Sequence, residues 1–258
     1  LQSWLIEDIG RGDRTTQSLF SSGVGVGQAE LIAKEPGIVA GLPIAARVFQ
    51  LLNHQVSFVP QVAEGQPCRK GDVLACFQGP LDALLMGERV ALNLLMRLSG
   101  IATLTRQYVE KIADLPVQLV DTRKTTPGLR LLEKYATQVG GAVNHRMGLD
   151  DAVMIKDNHI EAAGSIGNAI ASIRGNIPYP LTIEVETETQ AVQTIRATND
   201  RIKIEASGNI TLETIRAVAE TGVGYISSSA PITRSTWLDL SMNIDVSTME
   251  KSSTLPDS

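Results

Sequence analysis

The chain has 258 residues, of which 43% are hydrophobic and 20% are charged, so it can form a core and is too apolar for a disordered chain. Its net charge of −5 argues against a general nucleic-acid-binding or anionic membrane-binding surface, and two cysteines with three histidines argue against a disulfide framework or a Cys/His zinc site. No uncharged apolar run reaches the roughly 18 residues of a membrane span, and the first residues carry no signal-peptide pattern, so we expect a soluble cytoplasmic protein.

Short apolar runs separated by Gly and Pro fill the first part of the chain and are typical of antiparallel strands. The predicted strands are 29–33, 37–40, 55–59 and 73–77. Apolar residues at helical spacing predict a helix over 44–52 and a long helix from Pro80 to Ile112, with Gly100 as a weak point near its middle.

After Pro116 the pattern changes to short apolar strands that alternate with helices. The predicted strands are 117–121, 152–155, 181–185, 201–205 and 223–226, and the helical stretches include 129–138 and 211–220. This alternation indicates a parallel sheet in an α/β layer or barrel, whereas residues 247–258 form a polar tail that we expect to be disordered.

Cationic side chains follow the ends of these strands, where sites lie in parallel α/β folds. Arg123 and Lys124 follow the first strand, His145 and Arg146 follow the next helix, and Lys156 follows the second strand. A single loop charge is more often merely solvated, but five at predicted strand ends favour a shared site. Because Arg pairs bidentately with carboxylate or phosphate, such a cluster suits a small polyanionic substrate.

Two further strand ends offer candidate groups. Ser207-Gly208-Asn209 follows the fourth strand and precedes a helix predicted to start at Thr211, a pattern that suits phosphate binding at a helix N-terminus. Glu184 and Glu186 share one face of the third strand, where they form either a solvated face or part of the site.

Three long motifs make the pattern specific: 121–129 (DTRKTTPGL), 140–148 (GGAVNHRMG) and 155–160 (IKDNHI). Together with 7–15, 183–186 and 205–211, they resemble quinolinate phosphoribosyltransferases over essentially the whole chain except the tail. The resemblance implies that residues 1–104 form an open α/β sandwich with a long connecting helix, the N-terminus being free to return to the barrel side. Residues 105–246 would form an incomplete α/β barrel with the catalytic site.

The resemblance also implies the reaction. The family joins quinolinate to phosphoribosyl pyrophosphate with Mg²⁺ and without an organic cofactor, releasing pyrophosphate and CO₂ and leaving nicotinate mononucleotide for NAD synthesis. It implies a homodimer, with higher assembly left open, in which the N-terminal domain of one subunit closes the barrel of the other.

Carried over by position, the resemblance implies specific roles. Lys124, Lys156 and Glu186 are the predicted catalytic residues, and Glu186 is expected near the metal, through water or substrate. Arg89 is expected to reach the site across the dimer. The predicted substrate-binding residues are Arg89, Arg123, Lys124, His145, Arg146, Lys156, Glu186, Ser207, Gly208, Asn209, Ser228 and Ser229.

Two departures from the family pattern leave alternatives open. Between Glu186 and Arg201 the chain is about one βα unit short, through either an omitted segment or a true loss. Ser229 stands where the family usually has Gly, which a backbone phosphate contact tolerates if φ stays negative. The alternatives are a phosphoribosyltransferase for another pyridine carboxylate and an inactive paralogue that acts as a binding dimer.

Overall fold

The computed structural model describes residues 1–20, 23–174, 181–183 and 204–245. The helices are α1 Gln2–Ile9, α2 Arg14–Leu19, α3 Leu42–Leu52, α4 Leu81–Glu110, α5 Arg130–Gly140, α6 Asp157–Ala163, α7 Ile166–Arg174, α8 Ile215–Ala219 and α9 Ala230–Thr233. The strands are β1 Val26–Ala33, β2 Gly37–Ile38, β3 Ser57–Pro60, β4 Pro67–Cys68, β5 Val73–Pro80, β6 Gln118–Val120, β7 Val153–Ile155, β8 Leu181–Ile183, β9 Glu205–Ser207, β10 Tyr225–Ser227 and β11 Leu240–Asp245. The predicted α/β class is confirmed.

An antiparallel sheet with the order β11-β1-β5-β3 forms the first layer. Alternate residues of β1 are buried, as expected for a strand with one face on a core. In that core Phe49 of α3 packs against Phe77 of β5, with ring centroids 4.6 Å apart. The strand β11 pairs with β1, although residues 240–245 were expected to belong to the barrel.

The long helix α4 connects this layer to the second half of the chain. Its buried residues run from Leu81 to Tyr108 and pass from the core of the first sheet to that of the parallel strands. Gly100, expected to weaken the helix, lies against the segment that follows α9. A Cβ at this position would collide with the carbonyl oxygen of Thr236, so glycine permits the close approach.

Parallel pairing organises the second half. The strands β6, β10 and β9 form one sheet in the order β6-β10-β9, β7 pairs with β8, and a bridge joins Val120 to Val143. Among the described residues no pairing joins β8 to β9. The carboxyl ends of β6, β10 and β9 therefore share one edge, where the predicted site lies.

Several predicted boundaries differ from those of the structure, and two of them bear on the site. The strand predicted over 201–205 begins at Glu205 and ends at Ser207, although residues 201–203 lie outside the described residues. The helix predicted over 211–220 is limited to α8, and Thr211 and Thr214 form a hydrogen-bonded turn directly before it. The predicted tail, 247–258, also lies outside the described residues. None of the described helices is long and apolar enough to cross a membrane.

Candidate active site

The loop after β6 carries the first two predicted site cations. Arg123 is half-buried, and its Nε is a buried donor without a hydrogen-bond acceptor. Lys124 is exposed. An unsatisfied buried guanidinium donor is unfavourable by itself, so the geometry at Arg123 suits an anionic ligand.

The next segment is fixed to the same strand by Asp121, which is 2% exposed. Its carboxylate accepts the backbone N–H of His145 at 2.8 Å, the Thr137 hydroxyl at 3.0 Å and the Lys134 ammonium. The segment of His145 and Arg146 therefore lies beside the end of β6, as predicted. Asp121 begins the first motif, but no role was predicted for it.

Arg146 is positioned by a hydrogen bond from Nη1 to the carbonyl oxygen of Ala152, 2.8 Å away. Burial lowers the pKa of Arg146, and the positive charge of Arg123 lowers it further. The structure thus brings two like charges within electrostatic reach of each other. Such a pair is stabilised by an anion that binds between its members.

His145 links Arg146 to an acidic side chain. Its Nδ1 accepts the backbone N–H of Arg146 at 2.8 Å, so in the neutral ring the proton lies on Nε2. That atom is 3.3 Å from Oε2 of Glu205. Burial raises the pKa of Glu205, but hydrogen bonds from His145 and Ser227 and the charges of His145 and Lys156 lower it overall.

Glu205 is therefore a site residue that sequence reasoning missed. It belongs to the motif 205–211, but it was expected to be the last residue of a strand rather than its first. The available signal was its place in the motif 205–211, two residues before Ser207-Gly208-Asn209.

Lys156 follows β7 and precedes α6, and its backbone N–H donates to Nδ1 of His159 at 3.0 Å. His159 thus makes a local hydrogen bond. The positive charge of Lys156 is also among the influences that lower the pKa of Glu205.

The candidate phosphate-binding loops lie at the ends of β9 and β10, where Ser207 pairs in register with Ser227. Gly208 has φ +98°, Asn209 has φ +51°, and a Cβ on Gly208 would meet no atom within 4 Å. The conformation, rather than crowding, therefore requires this glycine. Ser228 is buried, and Ser229 has φ −87°, the negative value that lets serine replace glycine there.

One part of the phosphate prediction was wrong. A helix N-terminus was expected at Thr211, but α8 begins only at Ile215 and has five residues. The residues before it include Gly208 and Asn209, both with positive φ.

Among the described residues, one predicted site residue is not brought into this group. Arg89 lies on α4 with 59% of its side chain exposed, and its ion-pair partner is the adjacent Glu88, 3.9 Å away. Glu186, the residue predicted near the metal, lies outside the described residues. Within the described ranges no cluster of three His, Cys, Asp or Glu side chains could hold a metal ion.

A large cavity, about 730 Å³, lies at the opposite end of the parallel strands. Leu115–Gln118 and Tyr225 line it at the strand starts, together with Ile204, which adjoins residues outside the described ranges. It carries none of the predicted cations, so we assign it no role.

Comparison with known proteins decides the family. The model of the quinolinate phosphoribosyl transferase N-terminal domain matches residues 13–99, and that of the C-terminal domain matches 101–191 and 189–243. The chain belongs to the quinolinate phosphoribosyltransferase family. It is 57% identical to a probable nicotinate-nucleotide pyrophosphorylase [carboxylating] of Synechocystis, with 95% of this chain and 91% of that protein covered.

Other relatives agree. A probable nicotinate-nucleotide pyrophosphorylase [carboxylating] of Bacillus subtilis is 45% identical, with 96% of this chain and 93% of that protein covered. The crystal structure of NadC from Streptococcus pyogenes is similar to this chain, with a TM-score of 0.87 and 39% sequence identity over 95% of both chains.

The comparisons also locate the departure noted in the sequence. The C-terminal family model matches in two pieces that meet at residues 189–191. The alignment with the Synechocystis protein is 273 positions long and covers 95% of the 258 residues of this chain, which is about 245 residues. About 28 positions of the alignment are therefore gaps in this chain. In this alignment the chain is therefore shorter than its relative, by about the size of the predicted βα unit.

Proposed function

We propose that this chain transfers the phosphoribosyl group of phosphoribosyl pyrophosphate to quinolinate and decarboxylates the product to nicotinate mononucleotide. One structural observation supports this proposal independently of family membership. The half-buried Arg123, with an unsatisfied buried Nε, lies within electrostatic reach of Arg146 at the strand edge that also carries the Ser207–Asn209 loop.

The cations bind and orient the pyridine ring. Quinolinate carries two adjacent carboxylates, and Arg123, Arg146 and Lys156 supply three positive charges for them. Lys124 completes this wall. His145 holds the backbone N–H of Arg146 through Nδ1, so its role is to fix the Arg146 segment as well as to add to the wall.

The loops after β9 and β10 would hold the 5′-phosphate through backbone N–H groups of Ser207, Gly208 and Asn209 and the hydroxyls of Ser228 and Ser229. With both substrates anchored, the ring nitrogen faces C1′ of the ribose. The nitrogen–C1′ bond forms, the C1′–oxygen bond breaks, and pyrophosphate leaves with the electron pair. Anchoring supplies proximity, and the fixed cations stabilise the departing charge.

Ribosylation makes the ring cationic, so the electron pair left at C2 when CO₂ departs is stabilised by the ring itself. A proton then replaces the carboxylate at C2, and we assign Lys124 and Lys156 to supplying positive charge and protons there. The protein must hold the departing carboxylate without overstabilising its ground state.

The metal stays a proposal. Mg²⁺ in phosphate-transferring sites is usually held by substrate phosphates and by one or two carboxylates, so few protein ligands are needed. Glu186 is the residue we assign to it, through water or substrate. Mg²⁺ would neutralise the leaving pyrophosphate.

We also propose a homodimer in the cytoplasm. The exposed Arg89, which lies 3.9 Å from its neighbour Glu88, suits a residue that completes the site of a second subunit. Some plant relatives are named as mitochondrial or chloroplastic enzymes, so the cytoplasmic location rests on the sequence alone.

Release of CO₂ tests the function. Purified protein with Mg²⁺, phosphoribosyl pyrophosphate and carboxyl-labelled quinolinate should release one CO₂ per nicotinate mononucleotide. Product formation from nicotinate without CO₂ would instead support the other pyridine carboxylate, and no product from either would support an inactive paralogue.

A further inference from the structure

Two adjacent residues of α5, Glu133 and Lys134, are charged and completely buried. Burying a charge is costly unless its partners replace the lost water. Lys134 donates to Asp121, which fixes the His145 segment. Glu133 faces a different loop, and none of the steps above uses it.

The Glu133 carboxylate is surrounded by donors. Its Oε2 accepts the backbone N–H of Thr126 at 2.8 Å, and its Oε1 accepts the Thr126 hydroxyl at 2.8 Å. Oε1 also accepts Nη2 of Arg97 at 2.8 Å and its Nε at 3.2 Å. Thr126 follows Lys124 by two residues, so these bonds fix the loop that carries Arg123 and Lys124.

Arg97 extends the same network to the other side of the site. It donates to the carbonyl oxygen of Ile232 and to the hydroxyl of Ser235, both at 2.9 Å. Ile232 lies in α9, which directly follows Ser228 and Ser229. One buried ion pair therefore joins the cation loop to the element after the second phosphate loop.

We propose that Glu133, held by Arg97, is a positioning residue that fixes loop 122–128 through Thr126 so that Arg123 and Lys124 face the pyridine dicarboxylate. The proposal rests on the proposed function. Its physical basis is preorganisation: a loop already held in place loses less conformational entropy when the substrate binds.

The side-chain hydroxyl of Thr126 provides the test, because Thr126 is exposed. Removing this hydroxyl does not remove the hydrogen bonds from Arg97 to Glu133. Thr126→Val deletes one donor at nearly constant volume, whereas Thr126→Ser keeps it. Thr221→Val is the control, since it removes another exposed hydroxyl donor, 2.7 Å from the carbonyl oxygen of Val218.

We expect Thr126→Val to raise the KM and the calorimetric Kd for quinolinate about tenfold, the effect of one weakened charge-assisted contact. The KM for phosphoribosyl pyrophosphate should not change. Thr126→Ser and Thr221→Val should bind quinolinate as the wild type does, and thermal unfolding of all variants shows whether each is folded.

Wild-type quinolinate affinity in Thr126→Val would overturn the proposal, and so would a Thr126→Ser variant as impaired as Thr126→Val. An equal loss of affinity for both substrates would show a general structural effect and overturn it too. A wild-type chain that neither binds quinolinate nor releases CO₂ would overturn the proposed function and this inference with it. A normal wild type with an unaffected Thr126→Val contradicts the positioning role alone.

Discussion

Oε2 of Glu205 lies 3.3 Å from Nε2 of His145, whose other ring nitrogen accepts the backbone N–H of Arg146. The start of β9 is thus connected through one imidazole to the segment that carries a proposed substrate arginine. The two residues in contact are 60 positions apart in the chain, since Glu205 follows His145 by that number.

The contact predicts a pH dependence of stability. Because the folded pKa of Glu205 is below its ordinary value of 4.5, ionised Glu205 stabilises the fold above that pH. The contribution is lost as the pH falls below 4.5 through the folded pKa. The Tm difference between wild type and Glu205→Gln should therefore shrink as the pH falls below about 4.5. A difference that grows below that pH would contradict this assignment.

Gly208→Ala tests the phosphate loop. The variant must place alanine at φ +98°, which should destabilise the fold by about 1–2 kcal/mol. We also expect the KM for phosphoribosyl pyrophosphate to rise, because the loop shifts to relieve the strain.

Gly71→Ala is the matched control for Gly208→Ala. Gly71 has φ +94° and, like Gly208, has no atom within 4 Å of an added Cβ. Similar unfolding energies with an altered KM only in Gly208→Ala would support the loop assignment. An equal KM for phosphoribosyl pyrophosphate in both variants would show that Gly208 is not part of the site.

Arg89→Ala and Lys156→Ala test whether the site is shared between subunits. Each variant alone should be inactive. In a mixed dimer one site carries both defects and the other carries neither, so co-expressed subunits with different tags should regain activity. Purified heterodimers that stay inactive would place Arg89 in its own subunit's site or outside any site.

We expect the segment between Glu186 and Arg201 to be longer in the protein from its native source. A βα unit cannot be removed from a parallel barrel without leaving unpaired backbone groups, at about 1–3 kcal/mol each. We therefore expect peptide mapping of the protein from its native source to find about 20–30 additional residues between Glu186 and Arg201, the usual size of such a unit. A single native peptide that reads through 187–200 without an insertion would show that the barrel has truly shrunk.

Local patterns in the sequence were enough to predict the parallel strands and the cations after them. An apolar run followed by Asp121-Thr-Arg-Lys marks a strand end without any knowledge of tertiary structure. The strand β11 was not predicted, although its residues alternate between apolar and polar. Its pairing with β1 spans more than 200 residues, as between Gln28 and Asp245, so no local pattern identifies its partner.

Burial was the main quantity that the sequence could not supply. Glu133, Lys134 and Asp121 are of residue types that usually lie at the surface. They are nevertheless at most 2% exposed, because their partners come from other elements. Gly100 likewise has the character of a helix defect in the sequence, whereas in the fold it makes room for the carbonyl oxygen of Thr236. Tertiary contacts decide the role of such residues.

Arg146→Ala tests the central claim, that the strand-end cations bind the quinolinate carboxylates, most directly. We expect kcat/KM for quinolinate to fall by an amount equivalent to about 3–5 kcal/mol, because a buried anion loses its partner. Affinity for phosphoribosyl pyrophosphate and the Tm serve as checks that the fold persists, and Arg146→Lys should recover part of the loss. A folded Arg146→Ala variant with wild-type kinetics towards quinolinate would contradict the account.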